Sequence, residues 1–408
     1  MSSPVQPGRV LPFADARHAV ERHARALQVS DTEALPLVNA AGRVLAEAIT
    51  ADRDLPPFPR ATRDGFAVRS QDVAKVPARL RIVAEIKAGD SAGHAIAAGE
   101  CAEIMTGAPA PPGADAVVMV EYTSRSGDMA ELQRSAEPGQ NIVPAGSEAK
   151  AGAELVAAGT RIRYPQVAVA SAVGKSWLTV YKRPRVAVLS TGDEVVAIGR
   201  APGPAQIRNS NSYSLSAQLE EAGAIPERLP IAPDVAARLR ELIAEGLRTD
   251  LLLMTGGVSM GKYDLVEQVL AEFGAEFIFT GAEIQPGRPV VFGRAGKTYF
   301  FGLPGNPIST MVTFDLFVRP LLDALSGAPP APLFFLQARL KSEVRTKTGL
   351  TRFLPALLTG EFEGAEVEAV HWQGSGDIAA NARANCYLVV PPDREHLAAG
   401  EMVSILPR

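Results

Sequence analysis

Asp250-Leu-Leu-Leu-Met254-Thr-Gly-Gly-Val-Ser-Met-Gly261-Lys-Tyr-Asp264 decides how the rest of the chain is read. Residues 251–254 form a short apolar run bounded by Asp250 and Thr255, the pattern of a buried strand. Three glycines follow, and then a segment over 265–273 whose apolar residues recur at helical spacing. A glycine-rich loop between a strand and a helix lets backbone N–H groups gather round an anion, helped by the positive end of the helix. Asp264 stands at the mouth of that loop, where a carboxylate can hold a metal ion or handle a proton. The stretch therefore predicts a phosphate-binding loop (Gly256, Gly257, Ser259, Gly261) with acid–base or Mg²⁺ chemistry beside it. Two other readings compete. Asp264 with Glu267 has the form of a capping box, a role that can coexist with the chemical one. Ser259 in Gly257-Val-Ser-Met-Gly261 matches a nucleophile elbow, but the histidines that follow, His371 and His396, lie beyond a proline-rich linker. That context disfavours serine hydrolysis.

Strand–helix alternation surrounds this stretch. Strands are expected at 185–189, 251–254, 290–292 and 298–301, and helices at 212–222, 235–247, 265–273 and 308–325. Such alternation implies a mostly parallel sheet covered on both faces, with ligands at the carboxyl ends of its strands. Three loops fall there: Thr191-Gly-Asp-Glu194, residues 255–264, and Leu303-Pro-Gly-Asn-Pro307. Their convergence weighs more than any one of them. Upstream, residues 13–27 have helical spacing, and helical patterns extend over 13–50 and 160–175. Residues 52–145 carry short β-like runs broken by Pro and Gly, which reads as a β-rich module inserted into a helical domain. Ala328-Pro-Pro-Ala-Pro332 is a stiff linker, and beyond it 333–408 alternates apolar and polar residues as in a small antiparallel β domain or barrel. The expected architecture is multidomain α/β and β. It has an extended helical domain at 8–52 plus 146–180, a β-rich module at 53–145, an α/β domain at 181–327 and a C-terminal β domain at 331–408.

Composition sets outer bounds. At 408 residues the chain exceeds one ordinary core. Its 41 Lys+Arg against 45 Asp+Glu give a net charge of −4, which argues against binding nucleic acid through bulk charge. An anionic ligand must then be held by local donors. The two cysteines, Cys101 and Cys386, have no paired spacing, which excludes a thiolate zinc site or a disulfide framework and suits a reducing cytosol. Met1 to Val10 has no basic segment followed by an apolar one, and no apolar run reaches the roughly 18 residues of a membrane helix. A cytoplasmic protein is expected.

Other candidate residues are weighed against plain structural roles. Asp193 and Glu194 follow a buried strand within a Gly-containing turn, well placed for Mg²⁺ or ribose contacts. Asp234 opens the helix expected over 235–247, and an N-cap accounts for it. Pro304 and Pro307 frame Gly305-Asn306 before a long helix, which suits either a stiff helix entry or presentation of N–H groups to a ligand. Asp64 and Thr106, each alone, are polar residues in turns. The histidines show no metal-ligand spacing.

With these motifs on the page, the chain resembles the molybdopterin molybdenumtransferase family, the MoeA and gephyrin E-domain class. The resemblance is carried by Asp64-Gly-Phe-Ala-Val68, Met105-Thr-Gly-Ala-Pro109, Ser190-Thr-Gly-Asp-Glu194, Asn209-Ser-Asn211, Thr255 to Gly261 with Asp264, Leu303-Pro-Gly-Asn-Pro307 and Gln373-Gly-Ser375. It implies a four-domain homodimer whose α/β domain is of the molybdopterin-binding type. It also implies an enzyme that takes adenylylated molybdopterin and molybdate, inserts molybdenum at the dithiolene and releases AMP with Mg²⁺. Contact with the molybdopterin adenylyltransferase follows from the same resemblance. The cleft it implies lies between the α/β domain and the β-rich module of the partner subunit. The matched positions carry Asp64, Thr106, Glu194, Asp264, Pro304 and Pro307 into that cleft, with Glu194, Asp264 and Asp234 as Mg²⁺ ligands. Arg288 and Ser375 fall on its oxyanion side.

Departures from the family pattern cluster on that side. The usual Lys-Pro-Gly-Lys-Pro reads Gln285-Pro-Gly-Arg-Pro289, so one cation is lost and the other becomes planar Arg288. The usual Gly-Arg-x-x-Phe-x-Arg reads Gly349-Leu-Thr-Arg-Phe-Leu-Pro355, where Arg352 can substitute from a neighbouring position. Gly146-Ser-Glu148 stands where Gly-Glu-Asp is usual. Weaker retention of molybdate, or a preference for tungstate, is expected.

Overall fold

The computed structural model describes residues 9–91, 93–257, 265–361 and 364–408. The chain divides into two units, one containing residues 42–46 and 179–408 together with the N-terminal segment to residue 34, the other containing 35–41 and 47–178.

In the first unit, three apolar segments and the polar edge segment Ile225–Arg228, which the sequence pattern does not announce, become parallel strands in the order Ile225–Arg228, Arg185–Ser190, Leu251–Thr255 and Thr298–Leu303. Successive side chains on a strand face opposite ways, so runs without polar residues must be buried on both faces. Val186, Val188, Leu251, Leu253, Phe301 and Leu303 enter one core, joined by Leu215 and Leu219 of the Asn211–Glu221 helix. Ala187, Leu189, Leu252, Met254 and Phe300 enter the other, under the Ala236–Gly246 and Leu265–Glu272 helices. Val291–Ala295 and Glu276–Phe279 complete the sheet antiparallel, the second being a strand that the sequence pattern does not announce.

The segment expected as one helix over 308–325 is three pieces: an α-helix Pro307–Thr313, a π-helical turn Phe314–Val318 and an α-helix Arg319–Leu325. Asp315 sits half-buried in the π turn. Burial pushes its carboxyl up from the usual 3.8 to about 6, against the opposing pull of Arg319 and Arg408. An acid whose folded pKa is raised is destabilising only when ionised. The penalty is absent below the unfolded value, near 3.8, and grows as pH rises through about 6. Asp315→Asn keeps an acceptor for Gln218 and is expected to gain about 2–3 kcal/mol over the unsubstituted protein at pH 8, shrinking to nothing near pH 4. Paired urea titrations at the two pH values check this.

The Phe13–Arg25 helix buries Ala16, Ala19, Val20 and Ala24 in the first core and packs against Arg319–Leu325. Residues 9–34 thus fall in the same compact unit as the α/β domain. The helical pattern over 13–50 is corrected: after Arg25 come the strand Thr32–Pro36, a 3₁₀ turn Leu37–Asn39 and the strand Ile49–Thr50. At the other end of the unit, Thr351–Thr359 pairs with Glu366–Ala369 and Cys386–Val390. Leu336–Leu340 and Met402–Pro407 close the ring into a small five-stranded barrel around Leu340, Val367, Leu388 and Ile405. Ile284–Gln285 adds parallel to Thr351–Thr359 and ties the barrel to the α/β domain.

The second unit is built on a six-stranded sheet in the order Ala116–Met119, Gly65–Val68, Glu100–Ile104, Ala78–Ile86, Met129–Leu132, Thr123–Ser126. Phe66, Val68 and Leu80 face one core, Ala67, Ala102 and Val117 the other. Gly65 is required where it stands, because a Cβ there would run into the Val118 carbonyl. The Tyr164–Ala172 helix belongs to this unit. Among the described residues no helix is long and apolar enough to cross a membrane.

Candidate active site

Ser190, Thr255 and Leu303, the last residues of three adjacent parallel strands, stand opposite one another in register. The loops that follow therefore leave from positions about 4.8 Å apart. Between them opens a small pocket of about 50 Å³, lined by Thr191, Glu194, Arg208, Asn211, Gly256 and Pro307 among others. The glycines are there because nothing larger fits. Gly256 and Gly257 have φ of +85° and +63°, and Cβ atoms on them would lie 2.5 Å from the Thr191 carbonyl oxygen and 2.6 Å from Thr191 Oγ1. Gly305 stands against Gly256, where a Cβ would make ordinary contact with the Gly256 Cα at 3.6 Å. Ser259, Gly261 and Asp264 lie outside the described residues, and with them the capping box and the elbow. Of the two histidines that follow Ser259, His396 is held in the barrel with its Nε2 2.9 Å from Glu343 Oε2.

The wall behind the loops is a hydrogen-bonded network. Ser190 Oγ lies 3.0 Å from Asn209 Oδ1 and 2.7 Å from Ser212 Oγ. Asn211 Nδ2 donates to Thr255 Oγ1 and to the Gly305 carbonyl, both at 2.8 Å. Thr310 Oγ1 donates to the Pro304 carbonyl at 2.5 Å, which fixes the proline-framed turn, and Pro307 takes the first helical position. The Ile308 N–H donates to the Ser375 carbonyl at 3.0 Å, bringing Ser375 of the barrel domain to the start of that helix.

Carboxylates crowd one side. Glu194 lines the pocket, its carboxylate folded over Gly192. Asp193 Oδ1 accepts the Asp234 N–H at 3.1 Å. Burial, and then the fields of Asp193 and Glu194, push the Asp234 carboxyl above its ordinary range. The expectation that Asp234 caps a helix is corrected: the Ala236–Gly246 helix has Val235 at its N-cap and no side-chain cap. Among the described residues no three acidic, His or Cys side chains are grouped to hold a metal ion. A crowd of like charges that raises one member's pKa is nonetheless the environment that a divalent cation relieves.

Arg288 is exposed and does not line the pocket. Its turn packs on the helix that follows Pro307, where a Cβ on Gly287 would meet Thr313 at 2.5 Å. Gln285 pairs in register with Arg352, which is 7% exposed and donates to the Leu350 carbonyl at 3.2 Å. In the second unit, Asp64 and Thr106 come together. Asp64 Oδ1 accepts from the Thr106 N–H at 2.6 Å and from Thr106 Oγ1 at 2.7 Å, and these bonds hold its carboxyl below the ordinary range. Two polar turn residues distant in sequence thus form one unit. Sequence reasoning quoted Thr191 and Asn211 only within the motifs Thr191-Gly-Asp-Glu194 and Asn209-Ser-Asn211, with no role of their own, and left aside Arg208. The signal for Arg208 and Asn211 was a polar run, Arg208-Asn-Ser-Asn211, at the start of a helix.

Three family models match successive parts of the chain: the MoeA N-terminal region (domain I and II) over 11–174, the probable molybdopterin binding domain over 187–324, and the MoeA C-terminal region (domain IV) over 337–407. A protein of Nostoc sp. named molybdopterin molybdenumtransferase is 33% identical over 388 residues, 92% of this chain and 88% of that protein. The chain belongs to the molybdopterin molybdenumtransferase family. A family member of that name from Bacillus subtilis is 32% identical over 399 residues, covering 95% of this chain and 92% of its own. The crystal structure of a molybdopterin biosynthesis MoeA protein from Pyrococcus horikoshii OT3 matches with a TM-score of 0.80 at 29% identity, over 98% of this chain and 100% of that one. The pocket at the three strand ends lies within the part of the chain matched by the probable molybdopterin binding domain.

Proposed function

We propose that the chain inserts molybdenum into molybdopterin, taking the adenylylated pterin and molybdate and releasing AMP. The observation that carries the reading is the alignment of Ser190, Thr255 and Leu303, which gathers glycine backbone, a polar wall and Glu194 round one pocket. The amides of Gly256 and Gly257 are assigned to the substrate's phosphoryl group, with Arg208 as the local cation. Mg²⁺ suits the Glu194 and Asp234 carboxylates, with Asp264 carried over from the family pattern, and when bound it neutralises charge developing on the adenylyl phosphorus. Asp64, locked by Thr106 as an ionised acceptor, is assigned to orient substrate. A homodimer and contact with the molybdopterin adenylyltransferase are part of the proposal.

The test is AMP release and cofactor formation from adenylylated molybdopterin, with and without molybdate. Both products with molybdate support the reading. AMP release without molybdate or dithiolene marks a nucleotide hydrolase. Pterin binding that survives Asp264→Ala with no loss of the chain's role marks a scaffold.

The oxyanion is assigned to the turn at 285–289 with Ser375 and Arg352. Arg352 is buried, and that burial lowers its pKa. Gln285 beside it supplies no charge where the family has lysine. Equilibrium binding of molybdate and tungstate is expected to be weak for molybdate, with Gln285→Lys tightening it about tenfold. Tight molybdate binding that Gln285→Lys leaves unchanged refutes the assignment.

A further inference from the structure

Two atoms on the wall of the strand-end pocket are at odds with their surroundings. Asn211 Nδ2 donates to the Gly305 carbonyl, which can only accept, so the amide is fixed with its NH₂ on that side. Its Oδ1 is thereby turned away, buried, and accepts no hydrogen bond among the described residues. Thr191 is 2% exposed, and its Oγ1 is likewise buried without a partner among the described residues. Both residues line the same pocket. Around them Ser190, Asn209, Ser212 and Thr255 are bonded to one another or to backbone. Buried polar groups in native proteins are rarely left unpaired, and two in one pocket wall mark where something else makes the bond.

We infer that Thr191 and Asn211 are specificity-determining residues that read the ligand. Thr191 Oγ1 donates to a phosphoryl oxygen. Asn211 Oδ1, an acceptor only, takes an O–H or N–H on the group next to that phosphoryl. The inference rests on the reading that this pocket takes the adenylylated pterin. The donor is either a ribose hydroxyl of the adenylyl half or an N–H of the pterin half, and the ligands below separate the two.

The experiment compares calorimetric binding of AMP and of molybdopterin with the melting temperature of the unliganded protein. Thr191→Val removes the hydroxyl and keeps the shape. It is expected to raise the unliganded melting temperature, since an unmet polar group is gone, while weakening phosphate-bearing ligands about tenfold. Thr191→Ser is expected to restore binding. A structural hydroxyl gives the opposite: lower melting temperature and unchanged affinity. Asn211→Ala is expected to weaken AMP alone if ribose is the donor and molybdopterin alone if the pterin is. Unchanged affinity for both overturns the inference. Should Asn211→Ala fail to fold, 2′,3′-dideoxy-AMP and a pterin blocked at its ring N–H take its place with the unsubstituted protein, and full affinity for both is the overturning result. If the unsubstituted protein binds neither AMP nor molybdopterin, the reading of the pocket fails first. If it binds them and Thr191→Val binds them equally well, only the present inference fails.

Discussion

Glu194→Gln is expected to lower cofactor formation about 10²–10³-fold, the usual effect of removing one positioned electrostatic group from such a site. Glu194 lies in the pocket wall at the end of the Arg185–Ser190 strand, and among the described residues it forms no ion pair that the substitution would break. Glutamine keeps its size and its position over Gly192. The fold should therefore survive, and the melting temperature should stay level or rise, because the Asp234 carboxyl loses one of its repelling neighbours. Activity and stability thus move in opposite directions. The Mg²⁺ concentration for half-maximal rate should rise in the variant. Turnover like that of the unsubstituted protein removes Glu194 from the chemistry.

Arg17→Ala is expected to destabilise the first unit by about 3–5 kcal/mol, read from urea unfolding. The side chain is 6% exposed, and burial alone would push its pKa down. Three acceptors hold it. Nε meets Glu21 Oε1 at 2.8 Å, Nη2 donates to the Ala331 carbonyl at 2.8 Å, and Nη1 donates to the Leu316 carbonyl. Leu316 lies in the π-helical turn, where the ordinary i to i+4 ladder is interrupted and a carbonyl needs another donor. One guanidinium thus joins the Phe13–Arg25 helix, the π turn and the linker to the barrel. Arg17→Lys should recover little, because a single ammonium cannot reach three acceptors fanned round a plane. A loss below about 1 kcal/mol would place this residue with ordinary surface ion pairs.

Three of the four parallel strands and the three strand-end loops are legible in the sequence because burial on both faces leaves apolar runs, and the glycines mark where they stop; the fourth, Ile225–Arg228, lies on the sheet edge with charged residues and leaves no such run. Other features are not, for physical reasons. Glu276–Phe279 is short, lies on the sheet edge and carries Glu276 and two half-buried residues, so neither periodicity dominates. The π turn keeps helical spacing of apolar residues, so 308–325 reads as one helix although its ladder is interrupted. The Phe13–Arg25 helix has a clear apolar face, but which unit covers that face is a tertiary fact. Asp234 looks like a cap, yet the helix begins one residue too late for it to act as one. Thr191 was hidden by its neighbours Asp193 and Glu194, since a reading for chemistry looks at charges first. A threonine becomes informative only once its burial and missing partner are known.

The central claim is that backbone amides at the ends of three aligned strands hold the substrate's phosphoryl group. The most direct test is a crystal structure of the protein with adenylylated molybdopterin, with the phosphorus atoms located. The account predicts a phosphoryl oxygen within hydrogen-bonding distance of the Gly256 amide, beside Thr191 and Arg208. Phosphorus bound elsewhere, with that pocket filled only by water, would contradict it.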